Sequence, residues 1–240
     1  MAKKTSGNGI VTGSAPKTLK GHTFYGFELD EHQEQFRDAI WSPEKLVIFC
    51  DAKAGTGKTL VATATANLLC QHGLYDGIVY IASPTQEKKQ GYLAGSIEEK
   101  SEPYFAPFYD ALIQIGVNIN TCMYDNIMNE KNGTAYIQCL THTFLRGTNF
   151  RNKVIILDEC QNYTTEELRT TITRCHDTVK LICIGHESQC DLQSKQQSGF
   201  IKYLHHFSKE SDPRAEVCHL VHNYRGWIST WADSIWEDQR

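Results

Sequence analysis

A turn built on two glycines and a lysine constrains this chain more than any other stretch. Val47-Ile48-Phe49-Cys50-Asp51 is mostly apolar, Ala54-Gly55-Thr56-Gly57 follows, and Lys58-Thr59-Leu60-Val61-Ala62 opens a helical pattern. Glycines at 55 and 57 permit backbone conformations that side chains resist, so successive N–H groups can converge on one anion at the positive end of the next helix. The spacing predicts strand, phosphate-binding loop, helix. Ala54, Gly55, Thr56, Gly57, Lys58, Thr59 and Leu60 would surround a nucleotide's phosphates, with Lys58 reaching the β- and γ-phosphates and Thr59 ligating Mg²⁺. The strict pattern has glycine where this chain has Ala52, a residue small enough to keep the turn. A glycine-rich turn with a surface lysine is the plainer alternative.

A second stretch completes that chemistry. Lys153-Val154-Ile155-Ile156-Leu157 reads as a buried parallel strand, and it ends in Asp158-Glu159. Asp158 is expected to hold Mg²⁺ through its water shell, and Glu159 to polarise the water that attacks the γ-phosphate. An acidic pair capping a strand end is the alternative.

Other elements follow from periodicity and punctuation. Residues 31–41 have the spacing of an amphipathic helix stopped by Pro43, and the helix from Lys58 is closed near His72 by Gly73. Strands are expected at 78–82, 135–140, 178–185 and 215–220, and helices after Thr164 and over 200–207. Residues 101–113 carry two prolines that suit the start of a helix. Trp227, Ile228, Trp231 and Trp236 recur at helical spacing, a stripe expected to pack in the core or between subunits. Lys88 and Lys89 after the second strand, and Arg146 after the third, lie where ligands gather in open parallel sheets, and are candidates for contacting nucleic acid.

The chain of 240 residues, 40% hydrophobic, suits one α/β domain over 23–240 behind a flexible tail at 1–22. Nothing approaches the roughly 20 consecutive apolar residues of a membrane span, and the start has no apolar signal region. Nine cysteines, several inside apparent strands, suit a reduced, cytoplasmic protein. A net charge of −4 gives no general affinity for nucleic acid, so such binding would need a local basic patch.

Ala54 to Thr59, Phe144-Leu145-Arg146-Gly147, Leu157-Asp158-Glu159-Cys160-Gln161-Asn162 and Gly185 through Leu192 together resemble the PhoH-like ATPases, especially the shorter, phage-encoded members. The resemblance implies a RecA-like P-loop NTPase related to superfamily 1 helicases, with a mostly parallel sheet flanked by helices. It implies ATP and Mg²⁺ as cofactors, hexameric rings, and an activity directed at RNA or single-stranded DNA. By position, Gln33 resembles the adenine-recognising glutamine, Gln161 the one coupling hydrolysis to nucleic acid, Gln189 the γ-phosphate sensor, and Arg225 an arginine finger. His186 departs from the family, which has Asp after the glycine. An ATPase switch that controls assembly with a protein partner is the second expectation, and a small-molecule kinase the third.

Overall fold

The computed structural model describes residues 14–83, 97–145, 147–192, 194–209 and 212–234. Among these, six strands form one sheet: β1 (Val47–Ala52), β2 (Ile78–Ala82), β3 (Ile137–Thr141), β4 (Val154–Leu157), β5 (Lys180–Gly185) and β6 (Ala215–Leu220). Their spatial order is β3-β2-β4-β5-β1-β6, and every pairing is parallel. Parallel neighbours need long crossovers, and helices supply most of them. Among the described residues, α2 (Lys58–Gln71), α3 (Ile97–Gln114), the short α4 (Ile119–Cys122) and α5 (Ile127–Lys131), α6 (Thr165–Ile172) and α7 (Phe200–Lys209) lie between strands, while α1 (Glu31–Trp41) precedes β1 and α8 (Trp227–Ser234) follows β6.

Alternate strand residues feed two cores. Ile48, Cys50, Tyr80, Ile156, Ile182 and Ile184 pack with Phe36 and Ile40 of α1, Val61 and Ala64 of α2, and Phe108 and Leu112 of α3. Phe49, Ile81, Ile155, Leu157, Leu181 and Cys183 pack on the other face with Leu168 of α6 and Phe200 of α7. Burial on both faces is why the strands read as continuous apolar runs, each large side chain contributing about 1.5–3 kcal/mol. α2 is buried over nearly all its surface from Val61 to Ala66, and its small alanines and threonines let α1 and α3 pack closely against it.

Two helices differ from expectation. α3 begins at Ile97, so Pro103 and Pro107 lie inside it and each forfeits a helix hydrogen bond. Burial of Phe105, Phe108, Ala111 and Leu112 offsets that loss. The tryptophan stripe is not core: on α8, Trp227, Ile228 and Trp231 are 74%, 76% and 66% exposed, and the two indoles stack on each other. Helical spacing reports a one-sided apolar face without reporting what covers it. Trp236 lies outside the described residues. The described part of the segment read as a tail is anchored, with Leu19 buried and Trp41 Nε1 donating to Pro16 O.

β5 opens on the enclosed Lys180, whose ammonium donates to the Ser42 and Lys45 carbonyls just past α1. Burial pulls its pKa down from 10.5 to about 8. The unfolded chain then holds this proton more tightly than the folded one, so Lys180's contribution to stability rises as pH climbs from about 8 to 10.5. Chemical denaturation of the parent and Lys180→Met at about pH 8 and about pH 10 is expected to show the parent gaining roughly 1–2 kcal/mol on the variant. Parallel pH dependence of the two proteins would contradict the assignment.

Candidate nucleotide site

β1 delivers the chain to the phosphate loop at the carboxyl edge of the sheet. Gly55 and Gly57 adopt φ of 76° and 77°, the left-handed region that favours glycine. Both are also crowded. A Cβ on Gly57 would come within 3.1 Å of Gln33 Nε2, and one on Gly55 would strike Asn223 Oδ1 and lie 3.0 Å from Arg225 Cγ. As N-cap of α2, Gly57 offers no side-chain oxygen, and the first turn holds no acidic residue. The helix therefore presents its first N–H groups and positive dipole end to an anion.

Two segments hold the loop. Asp30 caps α1 through the Gln33 N–H, and Gln33 completes a capping box by accepting from Asp30 N. Gln33 Nε2 then donates to Thr56 O at 2.9 Å. From beyond β6, Tyr224 N donates to Gly55 O, and Tyr224 OH donates to Asp30 Oδ2, both at 2.8 Å. Arg225 is exposed, with its N–H accepted by Asn223 Oδ1. Asn223 to Arg225 thus pack on the loop of their own chain.

The acidic pair meets this loop from β4. Thr59 Oγ1 donates to Asp158 Oδ2 at 3.0 Å, Tyr80 OH donates to the same oxygen at 2.8 Å, and Glu159 N donates to Asp158 Oδ1 at 2.8 Å. Burial, then the charge of Glu159, pushes the Asp158 carboxyl above the usual range, against the Lys58 charge and the Tyr80 hydrogen bond. Glu159 takes a left-handed backbone (φ 52°, ψ 43°), a conformation that costs of order 1–3 kcal/mol for a non-glycine residue. Its half-exposed carboxylate lies 4.0 Å from Lys58 Nζ. Thr59 and Asp158 offer hard oxygen donors beside a second carboxylate, a set that fits Mg²⁺.

β5 lies between β1 and β4, so these groups meet across its end. Gly185 leaves room there: a Cβ would come 2.6 Å from Gln161 Oε1 and 3.1 Å from Gln161 N. Gln161 is buried, and its amide donates to Glu159 Oε2 and to Gln189 O while accepting from His186 N. Gln189 makes that contact through its main-chain carbonyl. The structure thus gathers Gln33, the 54–60 loop, Asp158, Glu159, Gln161, Gln189 and Arg225, while Lys88, Lys89 and Arg146 lie outside the described residues. Sequence reasoning passed over Asp30, Tyr80, Asn223 and Tyr224. Tyr80 is an ordinary strand residue by type, and only the strand order puts its hydroxyl on Asp158.

Fold and site together define the RecA-like P-loop NTPase fold class. The model of the PhoH-like protein family matches residues 28–225, and the chain belongs to that family. It is 33% identical over 184 residues to Protein PhoH of Escherichia coli (strain K12), covering 75% of this chain and 49% of that protein. The chain spans about half the length of the curated relatives it matches. Its fold resembles the large terminase of a thermophilic bacteriophage, at a TM-score of 0.52 and 15% identity, covering 81% of this chain and 46% of that one. A second structure of that terminase, in complex with ADP, matches at a TM-score of 0.51 and 14% identity, over 86% of this chain and 49% of that one.

Gly55→Ala would both strain a left-handed φ and drive a methyl into Asn223. It is expected to cost about 1–3 kcal/mol and to weaken nucleotide binding. Thermal unfolding and titration with an ATP analogue check this, and parent-like values in both would contradict the packing of 223–225 on the loop.

Proposed function

We propose that this chain hydrolyses ATP with Mg²⁺ and couples turnover to single-stranded RNA or DNA, as a small motor or helicase. The observation that carries it is the convergence of Lys58 and Thr59 on Asp158 and Glu159 at the mouth of a phosphate loop. The loop N–H groups and Lys58 bind the β- and γ-phosphates, and Gln33, already in contact with the loop, is assigned to adenine. Thr59 and Asp158 hold Mg²⁺, which when bound neutralises phosphate charge. Water attacks the γ-phosphorus, the bond to the β–γ bridging oxygen breaks, and Glu159, oriented by Gln161, takes the proton. Arg225 stabilises the charge on the transferring group, and Gln189 senses the γ-phosphate through Gln161. ADP in a terminase of the same fold supports the choice of an adenine nucleotide.

Lys88, Lys89 and Arg146 are proposed to contact nucleic acid, on their positions after β2 and β3. A ring of six copies is proposed on the family resemblance, and the cytoplasm on nine free cysteines. No helix among the described residues is long and apolar enough to cross a membrane. A second reading, an ATPase switch for a protein partner, is favoured by exposed Trp227 and Trp231 immediately after the loop-bound Asn223-Tyr224-Arg225.

ATP hydrolysis measured alone, with single-stranded RNA or with DNA is expected to rise several-fold with one of them. Turnover that ignores both and responds to a bound protein would favour the switch. Arg225→Ala should keep ATP binding and lose about 10³-fold in turnover. Because Arg225 packs on its own chain's loop, mixing that variant with Lys58→Ala subunits should restore nothing, and recovery would show a finger supplied by a neighbour.

A further inference from the structure

Asp51 is a carboxylate in an otherwise apolar strand, one step before the phosphate loop, and it has no part in the hydrolysis proposed above. It pairs in register with Gly185 of β5 on one side and His219 of β6 on the other. His186 Nδ1 lies 2.8 Å from Asp51 Oδ1, His219 Nδ1 lies 3.7 Å from Oδ2, and the Glu187 N–H also donates to this carboxylate. Burial opposes its ionisation, but the His186 hydrogen bond, the charges of His186 and His219, and the Glu187 N–H together hold its carboxyl below the usual range. Asp51 thus grips the 186–189 turn by one side chain and one main-chain donor.

The other side of the same turn holds Gln161. His186 N donates to Gln161 Oε1 at 3.0 Å, and Gln189 O accepts from Gln161 Nε2 at 3.3 Å. These contacts come from opposite ends of the turn, so they fix which way the Gln161 amide faces, and its Nε2 in turn reaches Glu159 Oε2. A continuous chain of hydrogen bonds runs from the strand feeding the phosphate loop, through the turn, to the carboxylate at the end of β4.

We propose that Asp51 and His186 form a clamp that positions the proton-accepting Glu159 through Gln161, which makes Asp51 a positioning residue for hydrolysis. The clamp rests on the ATPase function proposed above. It also gives His186 a role, since its imidazole Nδ1 bonds to Asp51 Oδ1 at 2.8 Å while its main-chain N–H holds Gln161. The contribution is to turnover alone, because neither Asp51 nor His186 lies on the loop N–H groups that bind phosphate. A displacement of the base by about 1 Å can cost on the order of 10²-fold in rate.

The test compares Asp51→Ala, Asp51→Asn, His186→Ala and the double alanine variant by steady-state ATP hydrolysis, with ATP-analogue affinity measured separately. Each alanine variant is expected to lower kcat by ~10–100-fold with analogue affinity unchanged. The double variant should be no worse than the worse single, since both residues act in one series of contacts. Asp51→Asn, which keeps the size and an acceptor oxygen, should recover most of the rate. Parent-like kcat in Asp51→Ala, losses that multiply in the double variant, or loss of analogue affinity at unchanged kcat would each overturn the clamp. An inactive parent would overturn the ATPase function and the clamp with it, whereas an active parent with an active Asp51→Ala overturns the clamp alone.

Discussion

Two adjacent carboxylates at the end of β4 repel each other, and one of them is buried. A buried charge is tolerated only where donors and cations surround it. Asp158 receives hydrogen bonds from Thr59, Tyr80 and the Glu159 N–H, and Lys58 stands near Glu159. Those donors come from α2, from β2 and from the end of β4 itself, so the acidic pair is stabilised only when three separate parts of the chain have assembled. The same arrangement suits the Mg²⁺ and phosphates of the function proposed above. Its energetic cost, including the left-handed backbone of Glu159, is offset by the two apolar cores on either side of the sheet.

The strand order turns that local requirement into a connected machine. With β5 between β1 and β4, the loop and the acidic pair cannot touch through neighbouring strands and must communicate over the end of β5. Gly185 keeps that end bare, Gln161 fills the space, and the turn from His186 to Gln189 sets the Gln161 amide. On the far side of the loop, Asp30, Gln33 and Tyr224 tie α1 and the segment after β6 to the same few residues. A change at the loop is therefore mechanically adjacent to α8, whose tryptophans face outward.

Much of this was legible in the sequence for a definite reason. The loop and the acidic pair depend on local backbone geometry and on residue types in fixed spacing, and buried parallel strands write themselves as apolar runs. β2 and β6 fall on the residues expected, and α1 ends before Pro43. What the sequence hides are contacts between distant elements. Tyr80 and Asp51 look like incidental strand residues until β2 is placed beside β4 and β1 beside β5. The exposure of α8 and the prolines inside α3 were hidden too, because periodicity describes a face and propensity describes an isolated segment, while neighbours decide the outcome.

The most direct measurement is single-turnover hydrolysis by Glu159→Gln beside its ATP affinity. The amide keeps the size and polarity of the side chain but cannot accept a proton. ATP should bind as tightly as in the parent and remain uncleaved over many parent turnover times. Hydrolysis at the parent rate would remove Glu159 from the chemistry and with it the function assigned to the whole site.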